Sequence, residues 1–163
     1  MSFVFYDTET TGVHKSFDQV LQFAAILTDS DLNELERFEV RCRVNPHVVP
    51  SAGALRVTRI PISMLLDPAL PSHYEMMCEI AKKLASWSPA IFAGWNSMDF
   101  DEHLLRQAFY QCLHRPYITN TNGNCRTDIL KIAQLASIRA PGSINVPANA
   151  RGAPVFKLDQ LAP

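Results

Sequence analysis

The chain has 163 residues, room for one domain that buries about 70% of the surface of its extended form, and the reading is a single domain over residues 1–163. Hydrophobic residues make up 47% and charged residues 19%, but no apolar run approaches the ~18 to 20 residues of a bilayer-spanning helix, so a membrane-spanning helix is excluded and no membrane partner is expected. The first residues, Met1 to Asp7, place no basic stretch before an apolar one, so no secretory signal is expected and the expected location is cytoplasmic.

Cys42, Cys78, Cys112 and Cys125 never fall in C-x-x-C spacing, and they are read as free thiols, mostly in the core, with no zinc site. The net charge of −1 conceals a division along the chain. Residues 1–102 carry 8 Lys and Arg against 14 Asp and Glu, and residues 103–163 carry 7 against 2. Such asymmetry suggests an acidic centre beside a basic surface for an anionic partner.

Phe3 to Asp7 reads as a buried strand and Val20 to Thr28 as a second, with turn chemistry at Asp29-Ser30-Asp31. From Leu35 to Val44, Phe38, Val40, Cys42 and Val44 alternate with four charged residues, the mark of a strand with one face in the core. These three strands form an antiparallel meander. A long connection rich in proline follows, with a short helix expected near Ile62 to Leu66. Between Ser72 and Trp87 apolar residues recur at helical spacing, and Ser72 with Glu75 makes a capping box. Ala90 to Trp95 reads as a buried strand and the segment from Asp99 to Cys112 as an amphipathic helix. Asp128 to Ile138 is read as another helix, with Asp128 as its N-cap, and Val155 to Leu161 as the first turns of one more.

Asp7 and Glu9, at i and i+2 of a strand, point to the same face. Two carboxylates so placed repel each other unless a proton or cation intervenes, and hard divalent ions suit such oxygen donors. Small hydroxyl residues and Gly12 follow them directly, permitting close backbone approach to a ligand. A second group of acids, Asp99 and Asp101, lies at the junction of a buried strand and a helix, where the helix dipole favours negative charge.

On these residues the chain resembles the DEDD superfamily of 3′-to-5′ exonucleases. Asp7-Thr8-Glu9-Thr10-Thr11-Gly12 is similar to the first motif of that family and Asn96-x-x-x-Phe100-Asp101 to the second. Further likeness runs through Gln22 to Asp29, Pro50 to Ala54, Phe109-Tyr110, Pro116-Tyr117, Arg126-x-Asp128-x-Leu130 and Phe156-Lys157-Leu158, and favours the branch acting on single-stranded DNA. The resemblance implies an α/β fold of RNase H-like type: a mixed sheet with an antiparallel β1-β2-β3 meander beside parallel strands and flanking helices. It implies hydrolysis of phosphodiester bonds from a 3′ end, releasing 5′-mononucleotides with two Mg2+ or Mn2+ ions. Carried over by residue, Asp7, Glu9 and Asp101 are the metal ligands and catalytic acids, and Glu9 also meets the terminal 3′-hydroxyl. Thr8, Thr10 and Thr11 border the terminal nucleotide, while Arg106, Tyr117 and Lys157 contact the strand. The implied partners are single-stranded DNA, with RNA as the alternative substrate, and a single-strand-binding protein engaged through regions outside this chain.

The family's third motif is His-x4-Asp or Tyr-x3-Asp, and none of His14, His47, His73, His103 or His114 has an aspartate five residues later. The expectation is therefore a C-terminally incomplete exonuclease domain whose 163 residues alone are inactive or nearly so. Its alternatives are a relative acting on RNA ends, a polymerase proofreading subunit, or a catalytically dead nucleic-acid-binding module.

Overall fold

In the computed structural model, which describes residues 1–161, a five-stranded mixed sheet carries helices on both faces. Ala162 and Pro163, the end of the expected 1–163 domain, lie outside the described residues. The strands are β1 (Ser2–Thr10), β2 (Val20–Thr28), β3 (Glu34–Arg41), β4 (Ala90–Gly94) and β5 (Cys125–Asp128), in the spatial order β3-β2-β1-β4-β5. β1 pairs antiparallel with β2, and β2 with β3, so the expected meander forms. β4 lies parallel to both β1 and β5. The helices are α1 (Ala52–Thr58), α2 (Ile62–Leu65), α3 (His73–Ser86), α4 (Asp101–Gln111), α5 (Ile129–Arg139) and α6 (Leu158–Leu161).

Alternation along β1 divides the molecule. Val4, Tyr6, Thr8 and Thr10 are buried, and Val4 and Tyr6 join the main core with Phe23, Phe92, Ile80, Leu84, Leu104 and Phe109. That core fills the space between the sheet and helices α3 and α4, where Met76 and Met77 are packing residues. Phe3, Phe5, Asp7 and Glu9 alternate with the buried residues and so point to the opposite face. An apolar groove of about 520 Å3 lies there, lined among others by Phe5, Asp7, Ala24, Ile26, Trp95 and Leu158.

Local signals explain most of the elements. Ser72 Oγ accepts from the Glu75 amide while the Glu75 carboxylate accepts from the Ser72 amide at 2.7 Å, closing the capping box on α3. Asp128 caps α5 by accepting from the Leu130 amide at 3.0 Å.

Three expectations change. The residues just before the helix expected over Asp128 to Ile138 form β5, a strand that was not expected because its four residues are too few and too polar to show alternation, and the helix follows as α5 with Asp128 as its cap. Helix α4 begins at Asp101, two residues later than expected, because Asn96 to Phe100 form a separate turn with Asn96 at φ +58°. Helix α1 lies in the proline-rich connection, capped by Ser51, where no helix was expected. The cysteines are all free as expected, but only Cys42 and Cys112 are buried.

Gly94 ends β4 against β1 and that separate turn. A Cβ there would stand 2.6 Å from Ser97 Cβ and 2.8 Å from the Tyr6 carbonyl oxygen, and the carbonyl cannot move without opening the sheet. Gly94→Ala is expected to destabilise the chain by about 1–3 kcal/mol, read as a lower urea midpoint at unchanged m-value.

Candidate active site

The parallel arrangement of β1, β4 and β5 sends their carboxyl-terminal ends to one edge of the sheet, the usual place for a ligand in open α/β sheets. Asp7 and Glu9 come from the end of β1, and Asp101 from the first turn of α4 after β4. All three line one cleft of about 370 Å3. One wall is made by Gly53, Ala54, Val57 and Thr58 of α1, and another by Trp95, Asn96 and Phe100.

Asp101 is 3% exposed and is fixed by a clasp to β1: its Oδ1 accepts from the Thr8 amide at 3.1 Å and from Thr8 Oγ1 at 2.5 Å. Loss of water pushes its carboxyl up to about 6 and the Asp7 charge adds to this, against the opposing effect of the Thr8 bonds. The Asp7 carboxyl is raised by loss of water within the cleft. That of Glu9 is raised first by the same cause and then by Asp7, with Arg41 working against both. The acids therefore stand close enough to disfavour one another's charge. Among the described residues, no three His, Cys, Asp or Glu side chains are yet gathered tightly enough to hold an ion.

The loop after β1 shapes the cleft. Thr10 Oγ1 donates to the Gly12 carbonyl at 2.7 Å, and Thr11 Oγ1 donates to Asp18 Oδ1 at 2.7 Å while accepting from the Gln19 amide. The Thr11 carbonyl accepts from the Ser51 amide at 2.8 Å, which ties the start of α1 to the loop. Thr8 and Thr10 line the cleft, whereas Thr11 is fully buried beneath it and holds its wall in place.

The sequence model of the exonuclease family of RNase T type matches residues 4–157. The chain belongs to this exonuclease family. It is 32% identical over 162 residues to exodeoxyribonuclease I of Buchnera aphidicola (strain APS), covering 98% of this chain and 39% of the relative. With the Escherichia coli K12 enzyme of the same name, identity is 31% over 169 residues, covering 98% and 34%. Among solved structures it is similar to E. coli exonuclease I bound to a dT13 oligonucleotide, with TM-score 0.90 and 30% identity over 98% of this chain and 34% of that one. A complex named ExoI/SSB-Ct gives the same TM-score, over 98% of this chain and 35% of that one. The chain thus spans roughly a third to two fifths of the length of these relatives. The fold is the RNase H-like one that the motifs implied.

Within this exonuclease domain, the three expected strand-contacting residues lie elsewhere than the cleft lining. Arg106 on α4 turns to Glu102, with Nε 3.7 Å from Oε2, and its guanidinium lies 5.1 Å from the centre of the Tyr117 ring. Arg106 and Tyr117 therefore form one stacked pair, on which Tyr117 keeps about half of its surface exposed. Lys157 is exposed immediately before α6, beside Leu158 in the apolar groove that Asp7 also lines.

Sequence reasoning passed over two acids here. Glu102 is 1% exposed; Oε1 accepts from the Tyr6 hydroxyl at 2.9 Å, and Oε2 from Thr119 Oγ1 at 3.0 Å and Arg126 at 2.8 Å. Asp128, read only as a cap, also accepts from the Asn96 and Met98 amides. The walls from α1, Trp95 and Phe100 were likewise missed as site residues, although the quoted segments at Pro50 to Ala54 and Asn96 to Asp101 contain several of them.

Because folding raises the Asp101 carboxyl from the ordinary 3.8 to about 6, its contribution is most favourable at low pH and is lost as pH rises through that interval. Asp101→Asn keeps an oxygen for the Thr8 clasp and removes the buried charge. In chelator-treated buffer the variant is expected to be more stable than the parent at pH 8, by on the order of 1–3 kcal/mol, with the difference vanishing near pH 4. Urea unfolding at both pH values measures this.

Proposed function

We propose that this chain is the metal-holding part of a 3′-to-5′ exodeoxyribonuclease that removes 5′-mononucleotides from single-stranded DNA. The observation that carries the reading is the meeting of Asp7, Glu9 and Asp101, from β1 and α4, in one cleft. Their donor set is entirely carboxylate oxygen, and each carboxyl is raised first by loss of water, with the Asp7 charge adding to this at Glu9 and Asp101, so Mg2+ or Mn2+ would supply the positive charge that burial leaves unmet.

When bound, two such ions stabilise the attacking and leaving oxygens of the phosphodiester and lower the pKa of water. The chain contributes positioning. Asp7, Glu9 and Asp101 hold the ions, Thr8 fixes Asp101, and Glu9 also meets the 3′-hydroxyl. Thr10 and Thr8 border the terminal nucleotide between the α1 wall and Phe100, in a cleft of ligand size. Thr11 sets that wall. Arg106 with Tyr117 presents a cation and an aromatic face at a distance from the cleft, suited to a phosphate and base further along the strand. Lys157 adds a point charge by the open face of the sheet.

Among the described residues, the lining of this cleft holds no histidine or tyrosine to act as a general base and no acid besides these three. We therefore read residues 1–163 as an incomplete domain that binds metal and strand but turns over negligibly by itself. In a longer protein, an element reaching the open face beside Asp7 would supply the missing groups. A single-strand-binding protein as partner, engaged through regions outside this chain, and a cytoplasmic location belong to the same reading, and the similar structure named ExoI/SSB-Ct complex supports the first.

Millimolar Mn2+ is expected to raise the melting temperature of the chain by roughly 3–5 °C, an effect abolished by Asp7→Ala. A 3′-labelled single-stranded DNA is expected to compete better than RNA of the same sequence for the metal-loaded chain, with no detectable nucleotide release. No thermal shift, or an equal shift in Asp7→Ala, rejects the metal site. Processive degradation rejects the incompleteness, and stronger binding of RNA favours the RNA-end alternative.

A further inference from the structure

Asp128 sits where β5 becomes α5, 4% exposed, and directly opposite Gly94 in the β4–β5 ladder. One bond of its carboxylate explains the start of α5: Oδ1 accepts from the Leu130 amide at 3.0 Å. The other two go to a different part of the chain. Oδ1 also accepts from the Asn96 amide at 3.0 Å, and Oδ2 from the Met98 amide at 3.1 Å. A capping role alone would be served by one oxygen, as a serine supplies at many helix starts.

The turn that receives these two bonds depends on them. Asn96 holds a left-handed φ of +58°, which a non-glycine residue adopts at some cost, and among the described residues its amide and that of Met98 donate to Asp128 rather than to a backbone carbonyl. The same turn then passes its orientation to the acid site. The Ser97 carbonyl accepts from the amides of Phe100 at 3.3 Å and Glu102 at 2.9 Å, closing the first turn around Asp101. Asp101 in turn meets Thr8 on β1. A continuous series of bonds therefore runs from Asp128 on β5, through residues 96–98, to the carboxylate that faces Asp7.

We propose that Asp128 is a positioning residue for the metal site, setting the direction from which Asp101 enters the cleft; the inference rests on the metal-holding role of Asp7, Glu9 and Asp101. Asp128 touches neither ion nor strand. It acts on Asp101 as outer groups act on metal ligands, where loss of one such partner weakens affinity by roughly 10- to 100-fold.

Asp128→Ser separates the two duties, since a serine oxygen still caps Leu130 but cannot span to both Asn96 and Met98. Ala133→Gly, in the interior of α5, serves as a destabilised control that leaves the 96–98 turn untouched. Mn2+ affinity is measured for the parent chain and both variants by the paramagnetic effect of bound ion on water relaxation, and amide exchange is followed at Asn96 and Met98. The expected result is Mn2+ binding weakened at least tenfold in Asp128→Ser and unchanged in Ala133→Gly, with accelerated exchange at the two amides only in the former. Unchanged affinity in Asp128→Ser overturns the proposal, as does an equal loss in both variants. If the parent chain binds no Mn2+, the metal site itself is rejected and exchange alone decides: protection at Asn96 and Met98 retained in Asp128→Ser overturns the positioning role.

Discussion

Asp101 and Glu102 are consecutive, both are buried in the first turn of the same helix, and the fold treats their charges in opposite ways. Removing a carboxylate from water is costly unless cations and hydrogen bonds replace the lost solvation. Glu102 receives that replacement in full: Arg126, the nearby Arg106, Tyr6 and Thr119 converge on it from β5, α4, β1 and the 3-10 turn at Ile118–Asn120. Asp101 receives only the uncharged donors of Thr8 and faces a second acid, Asp7. The first carboxylate therefore joins elements together, while the second retains an unmet demand for positive charge. Placing the two side by side makes the joint and the candidate metal site a single construction, because any shift of α4 to improve one pairing would disturb the other.

Strong local signals in the sequence survive into the structure with little change. The boundaries of β2 match, the alternation of Phe38 and Val40 faces them toward the core, and the Ser72 capping box closes as its residues suggest. The acids at positions 7, 9 and 101 were legible through spacing and motif order, and one cleft gathers them. What could not be read were features made by contact between distant segments. β5 has the residues Cys-Arg-Thr-Asp and becomes a strand only because β4 offers it a parallel edge. Helix α1 is short and set among prolines, and it is held through the bond from Ser51 to Thr11, forty residues earlier. The further duties of Asp128 and Glu102 likewise depend on partners more than twenty residues away, or on the opposite side of the turn they hold.

The charge division along the chain also acquires a different meaning. The basic second part suggested a surface waiting for an anionic strand, but some of its cations already serve acids of the first part. Arg126 and Arg106 lie at Glu102, and Lys131 bonds Asp99 at 3.1 Å. An exposed pair such as Lys131–Asp99 adds little stability and can exchange for another anion at small cost. Arg126, bound to a carboxylate with 1% exposure, cannot leave without stranding a buried charge. Arg106 is intermediate: its Nε lies 3.7 Å from the same Oε2 that Arg126 holds at 2.8 Å, and its guanidinium lies against the partly exposed Tyr117 ring. On the proposed strand-binding reading, the electrostatic contribution of the second part would therefore fall on the outer cations and on the Arg106–Tyr117 pair. Net charge per segment counts Arg126 as equal to these, although the fold has already committed it to the interior.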